Sequence, residues 1–528
     1  MLLLLIQVAQ IPVVTADTSP PPHDALHYDI TLIPSDTGTH VLGEVQTTWR
    51  LRSTSPVRMK LDSSMRVIRV LVDGKPNTRL SRTRYARSET EVDVPHQKRA
   101  GDSISTRVRY RGLPRDGLVV GSNSYGQRTI FADNWPDRAH FWFPTPDIPG
   151  DKATVSFHVQ VPVGQQVIAN GALEKIDTLP YRHAVWHYSL NTPVPVYTMV
   201  VGIGRLARTP LPNAACAVKC VSLSLWTYPQ DSAYAVESFR RAGEMVHYFS
   251  GLIGPFPFAS LAHVESSTRY GGMENATAIF YDQKLYRERK LGEALIAHET
   301  AHQWFGNAVT PREWPHLWLS EGFATYLATL WIEHTAGDSA LRMRMETAAE
   351  KVFGSAATER PIIDTATSKL TELLNSNSYQ KGAWVLHQMR GIVGDSVFFD
   401  GLRRYYAAYR DSTTLTADFA RIMSEAAGRD LDWYFAQALT QPGYPVLDVR
   451  WKHENQQLIV EVAQAQKAEW GMYRIPGLEL LIDGKVVRMD VDGRNVRTVI
   501  DGISRRPKKV EVDPSGWWLL KTTVKSEK

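Results

Sequence analysis

The sequence predicts a multidomain α+β protein, and three observations carry that expectation. Strand-like alternation runs through the amino-terminal part, helical periodicity takes over near residue 209, and short strand patterns return after Pro442-Gly443. A chain of 528 residues with 43% hydrophobic content is ample for several cored domains. The expected boundaries are a leader at 1–16, an amino-terminal β domain at 17–208, a mainly helical domain at 209–440 and a small β domain at 441–528. In the first, TVSFHVQV sets polar Thr154, Ser156, His158 and Gln160 against apolar Val155, Phe157, Val159 and Val161, the period of a half-buried strand. In the second, ESFRRAGEMVHYFSGLIG, FFDGLRRYYAAYR and LTADFARIMSEAAG carry apolar residues at helical spacing. In the third, QLIVEVA and KKVEVDP read again as strands. No internal repeat or low-complexity segment interrupts the pattern.

The first sixteen residues, MLLLLIQVAQIPVVTA, are apolar, too short to span a bilayer comfortably, and followed by polar DTSPPPHD. They read as a secretory signal peptide cleaved after Val14-Thr15-Ala16, although a positive n-region is missing and a buried amino-terminal strand is the other reading. The expected location is therefore exported, periplasmic or extracellular, with no stable membrane span. Cys216 and Cys220, the only cysteines, lie close together without a neighbouring histidine, which suits a small disulfide loop in an exported protein. The formal charge of +5 arises from 60 basic and 55 acidic side chains. RSTSPVRMK and SRRPKK are the only short basic stretches of note, both read as solvated loops, so no nucleic-acid partner is expected.

The chemistry concentrates around His298, Glu299 and His302 in the run HETAH. Residues four apart share a helix face, so both imidazoles can address one metal ion while Glu299 stands beside them as a base. The pentad alone is a weak signal, since a helix with two incidental histidines would spell it too. Glu321 follows His302 after eighteen intervening residues and is the second residue of SEGFATYLATLWIEH, a second helical pattern, with NAVTPREWPHLW between them read as a turn. Three protein ligands and one open position make a hydrolytic zinc site, one ion per chain.

Gly271, Gly272, Met273, Glu274 and Asn275 form GGMEN between a β-rich stretch and AIFYD. Two glycines let a backbone approach a ligand, and a carboxylate fixed there can hold the α-amine of a peptide. A Gly-Gly turn with a solvated Glu is the plainer reading. Asn275-Ala276-Thr277 also fits a glycosylation sequon, discounted because a glycan would block that cleft. Tyr379, one of 21 tyrosines, precedes a helix with Val385, Leu386 and Met389 on a buried stripe. A phenol at a metal cleft can donate a hydrogen bond to a developing oxyanion.

Together these residues resemble the gluzincin zinc aminopeptidases, which are aminopeptidase N-like enzymes with HExxH, a Glu after eighteen residues, GxMEN and YxKG in this order. The resemblance implies a saddle-like amino-terminal all-β domain, a thermolysin-like catalytic domain and a carboxy-terminal β-sandwich. It implies zinc on His298, His302 and Glu321, Glu299 as general base, Tyr379 stabilising the tetrahedral intermediate, and Glu274 anchoring the free amino terminus of a peptide substrate. IFADNWPDRAHFWFPTPDIPGDKATVSFHVQVP (130–162), YTMVVGIG and QPGYPVLDV extend the likeness over most of the chain, and place Asp133 or Asn134 where an amine-binding polar residue often stands.

Ser320 departs from the usual Asn before the third ligand, and His316 stands where an acidic residue is common. Both bear on the hydrogen bonds that orient ligands. Many relatives continue into a large helical domain beyond this point, so a more accessible cleft is expected. A zinc endopeptidase or an epoxide hydrolase would use the same metal, whereas a catalytically dead scaffold would be expected to have lost ligands or base. Amino-terminal sequencing of exported protein should find a mature chain beginning near Asp17.

Overall fold

The computed structural model describes residues 23–76, 81–85, 89–212 and 221–527. The leader at 1–16 and the Cys216–Cys220 pair lie outside the described residues. Two compact units divide the chain, one built on Asp17–Trp314 with Tyr406–Leu415, the other on Pro315–Tyr405 with Thr416–Lys528.

The first unit begins all-β, as expected. An eight-stranded sheet contains β1 (His23–Pro34), β2 (Lys152–Pro162), β3 (Ala172–Leu179) and β4 (His183–Pro195) in the order β3, β4, β2, β1, continued by Val41–Leu51, Ser103–Gly112, Met65–Val72 and Lys75–Pro76. β1 and β2 run parallel and the other pairs antiparallel. Val155, Phe157, Val159 and Val161 of β2 are buried and the residues between them half-exposed, the alternation read from TVSFHVQV. A four-stranded and a three-stranded sheet accompany it. One expectation fails here. RSTSPVRMK is not a solvated loop throughout, because Val57–Lys60 is a strand paired with Glu89–Val94. Val57 and Met59 are fully buried while Arg58 points outward, so an apolar alternation was hidden between two cations.

The same unit holds a five-stranded sheet from within the stretch read as helical, in the order Ala207–Pro210, Ser222–Thr227, β5 (Ser260–Ser266), β7 (Ala278–Asp282), β6 (Gly272–Met273). Ser222–Thr227, β5 and β7 are parallel and covered on both faces. Strands of that kind read as continuous apolar runs and lose the alternation that identifies a strand in sequence. Helix α1 (Glu293–Ala301) follows. NAVTPREWPHLW is more than a turn, since Val309–Pro311 pairs in parallel with Ser412–Thr414 and Trp314–His316 forms a 3₁₀ turn.

The second unit is helical and then β. It contains α2 (Trp318–Ala336), Asp338–Phe353, α3 (Gly382–Val393), Thr416–Ala427 and Asp432–Thr440. A four-stranded and a three-stranded sheet follow from Val446 onward. Leu447, Val449, Leu458 and Val460 of the first meet Ile475, Leu478, Leu480 and Val491 of the second in one buried cluster, a β-sandwich core. No helix among the described residues is long and apolar enough to cross a membrane.

Two histidines are buried deep in these units. Burial pushes His263, whose Nδ1 lies 3.0 Å from Tyr281 Oη, down to about 3, and His387 down to about 4. Both rings stay neutral when folded but take a proton near 6.5 when unfolded, so each withdraws stability as the pH falls below that value. In urea unfolding between about pH 6 and 4, the parent should lose roughly 1.4 kcal/mol per pH unit more than the His263→Asn variant.

Candidate active site

The HETAH run lies on α1 and closes it, with His302 as the residue immediately after the last helical turn. Its spacing brings the two rings together. His298 Nε2 and His302 Nε2 are 3.1 Å apart, with ring planes at 86°. The other nitrogen of His302, Nδ1, lies 3.1 Å from the Phe305 carbonyl, to which it donates. That bond fixes the tautomer and leaves Nε2 with its lone pair facing His298. The separation is close to the roughly 3.3 Å expected for two imidazoles on one tetrahedral zinc at 2.0–2.1 Å.

GGMEN forms the edge of the five-stranded sheet and the turn beyond it. β6 pairs antiparallel with β7 through Gly272 opposite Tyr281 and Met273 opposite Phe280. Gly272 has a steric reason to be glycine, because a Cβ there would overlap the carboxylate of Glu299. The base candidate therefore lies flat against the backbone of the sheet edge. Glu274 is buried, and its carbonyl accepts hydrogen bonds from Gln303 Nε2 (3.1 Å) and Asn307 Nδ2 (2.6 Å). Thr277, at φ +63°, adopts a conformation that β-branched residues rarely take. It is held by donating its N–H to Gln303 Oε1 and by accepting from the Gly171 N–H at Oγ1. Asn275 is 1% exposed, which accords with discounting the sequon, and its side-chain amide has no hydrogen-bond partner among the described residues.

The second unit presents Glu321 and Tyr379. Glu321 is buried in the first turn of α2. Gly322 beside it packs against Gly382 of α3, so closely that a Cβ on Gly322 would come within 2.9 Å of the Gly382 backbone. Tyr379 is half-buried in a π-helical turn, Asn377–Lys381, that leads into α3. Asn377 Nδ2 donates to the Ala357 carbonyl (2.6 Å) and Ser378 Oγ to the Leu373 carbonyl (2.7 Å), which pins that turn. Val385, Leu386 and Met389 are buried as expected. Lys381 is buried too; desolvation pushes its ammonium down to about 7, and its Nζ lies 3.4 Å from the Gln441 carbonyl.

Within the first unit Glu274, Glu299 and His302 offer one ligand atom each within 4.8 Å of one another, and His298 stands beside His302. Two imidazole nitrogens and a carboxylate oxygen are a donor set that suits zinc. Asp133 and Asn134 are occupied elsewhere. Asp133 is paired with Arg138 (2.6 Å) and Arg269 (2.8 Å), and burial raises its carboxyl despite both guanidinium groups. Asn134 donates to the Met199 carbonyl (2.6 Å) and accepts from Trp142 Nε1 (2.8 Å). His316 Nδ1 lies 2.8 Å from Thr416 Oγ1, at the start of the helix Thr416–Ala427.

Residues 238–437 match the family model described as Peptidase family M1 domain. Over that stretch the chain is similar to M1 peptidases. It is 26% identical over 423 residues to probable aminopeptidase 1 of Sulfurisphaera tokodaii, covering 75% of this chain and 52% of the relative. With leucyl aminopeptidase of Saccharolobus solfataricus it shares 25% identity over 477 residues, 86% of this chain and 58% of the relative. The chain thus spans about half the length of the curated relatives it matches. The M1 zinc metallopeptidase from Deinococcus radiodurans superposes with a TM-score of 0.67 at 25% identity, covering 80% of this chain and 95% of that one. The matched stretch begins before β5 and ends within Asp432–Thr440, so HETAH, Glu321, GGMEN and Tyr379 all fall inside it.

Sequence reasoning missed Gln303, Asn307 and Lys381. Gln303 and Asn307 are the polar residues of QWFGNAV directly after HETAH, and a buried amide in so apolar a run is the signal that would have found them. The Gly322–Gly382 approach yields a stability test. Gly322→Ala should cost about 1–3 kcal/mol by overpacking, read as a lower midpoint in guanidinium unfolding.

Proposed function

We propose that this chain is a zinc-dependent aminopeptidase that removes the amino-terminal residue from peptides. The observation that carries the reading is the buried Glu274 carboxylate, within 4.8 Å of ligand atoms of Glu299 and His302 and presented by an edge strand whose glycine lies against the base. An endopeptidase needs the base and the histidines but has no use for a fixed anion at that distance.

His298, His302 and Glu321 hold the ion in this proposal. When bound, zinc would supply Lewis-acid polarisation of the scissile carbonyl and would acidify a water molecule, bringing its pKa down to about 7 in favourable sites. Glu299 takes the proton of the attacking water and passes it to the leaving amine. Tyr379 donates its phenol hydrogen to the developing oxyanion. Glu274 pairs with the α-ammonium of the substrate and so sets the register at the first peptide bond. Gly271 and Gly272 admit the substrate backbone, Met273 packs on the first side chain, and the unsatisfied Asn275 amide offers a hydrogen bond to the peptide. Export to the periplasm or outside, by way of the leader at 1–16, completes the proposal, with residues 209–440 as the catalytic domain.

A fluorogenic aminoacyl amide tests the reading directly. Hydrolysis should stop with a chelator and return with zinc, and an amino-acetylated peptide should not be cut. Glu299→Gln should keep its zinc and lose about 10²–10⁴-fold in kcat; turnover near the parent's, with zinc retained, refutes the assigned base. Tyr379→Phe should lose about 10²–10³-fold in kcat.

A further inference from the structure

A pair of histidines far from HETAH in the sequence meets on the eight-stranded sheet. His158 of β2 and His187 of β4 stand directly opposite each other in antiparallel register, with their Nδ1 atoms 2.6 Å apart. Each ring is backed by a carboxylate on its other nitrogen. His158 Nε2 lies 3.1 Å from Asp29 Oδ1 on β1, and His187 Nε2 lies 3.0 Å from Asp177 Oδ2 on β3. Those carboxylates call for a hydrogen on each Nε2. With both Nε2 atoms protonated, the two Nδ1 lone pairs face one another, an arrangement that a proton or a metal ion between them relieves.

We propose that His158 and His187 form a second divalent metal site, ligated through Nδ1 and selective for zinc-like ions. A carboxylate behind each imidazole is the arrangement that orients metal-binding histidines and strengthens them as donors. The imidazole side chains are 30% and 16% exposed, which leaves room for water to complete the coordination. Zinc at 2.0–2.1 Å from each nitrogen requires the pair to open to roughly 3.3 Å. The sheet has slack there, because β3 is an edge strand and its register against β4 shifts between Leu173 and Lys175, leaving Glu174 as an extra residue. The charges facing the pair are Asp29, Glu174 and Asp177 on one side of the balance and Lys175, His27 and Arg107 on the other. Asp29 holds His158 above the usual imidazole value, whereas burial and the neighbouring His158 hold His187 below it. The pair therefore carries one proton at most for an incoming ion to displace.

The test is zinc stoichiometry by equilibrium dialysis and atomic emission, with the full chain carrying His298→Ala and His302→Ala so that the proposed catalytic ion is removed. That protein should still bind about one zinc per chain, and adding His158→Gln with His187→Gln should abolish the binding. Asp29→Asn, which spares both ligands, should weaken zinc binding about 10–100-fold. In an otherwise unaltered chain, His158→Gln with His187→Gln should leave aminoacyl amide hydrolysis at the parent's level, which also reports that the variant folds. If the His298→Ala, His302→Ala protein binds no zinc at millimolar concentration, or binds as much without His158 and His187, the pair holds only a proton and the proposal is overturned.

Discussion

The amide of Gln303 is the interaction on which the placement of the Glu274 turn beside the two histidines depends. It donates to the Glu274 carbonyl and accepts from the Thr277 N–H, bracketing both ends of the ENAT turn, while Asn307 adds a second donor to the same carbonyl. Both amides belong to the segment that follows His302, so one stretch of chain positions the histidines and the turn bearing Glu274 together. Each of these bonds is buried, and a buried amide left unpaired costs about 1–3 kcal/mol. The turn cannot move away from α1 without incurring that cost several times. It is enough to hold Thr277 at a positive φ, a strain of about 1–3 kcal/mol that persists only where surrounding contacts over-determine the backbone.

Glycines do the complementary work of removing bulk. Gly272 lets the Glu299 carboxylate lie against the sheet edge, and Gly322 with Gly382 lets α2 approach the start of α3. In both places the neighbour is a residue with an assigned chemical role, Glu299 in one case and, one position along the chain, Glu321 in the other. Close approach of backbone is the shared device, to the Glu299 carboxylate at Gly272 and to the Gly382 backbone at Gly322.

These same residues explain how much could be read in advance. The approach of His298 and His302 was legible because helical spacing maps sequence onto geometry almost without intermediaries, and the half-buried β2 was legible through its period of two. Asp133 and Asn134 were misleading: their position in the chain suited an amine-binding role, but only the fold reveals Arg138, Arg269, Met199 and Trp142 as their partners. The parallel strands of the five-stranded sheet were illegible because burial on both faces erases alternation. Val57–Lys60 was hidden for the opposite reason, since its exposed cations dominated so short a run. Long-range hydrogen bonds such as Gln303 to Glu274 have no periodicity at all, and the only trace they leave is an amide in apolar company.

Lys152 links the β-rich part of the first unit to the metal-binding segment. Its side chain is half-buried at the start of β2 and donates to the carbonyls of Asn307 (2.9 Å) and Ala308 (2.6 Å). Asn307 is the residue whose side chain reaches Glu274, so a cation on the large sheet holds the backbone from which the second donor to the turn projects. Asn170 reinforces the link, its Nδ2 donating to the carbonyls of Ala276 (2.6 Å) and Thr198 (2.7 Å). Burial pushes the Lys152 ammonium down to about 7, and the two carbonyls supply the partial charge that a full carboxylate would otherwise provide. The β-rich region is therefore no mere cover over the catalytic residues. Removing it would leave Asn307 and Ala308 without their donor and Ala276 without its own, so the turn bearing Glu274 would lose support from the sheet and keep it only from α1.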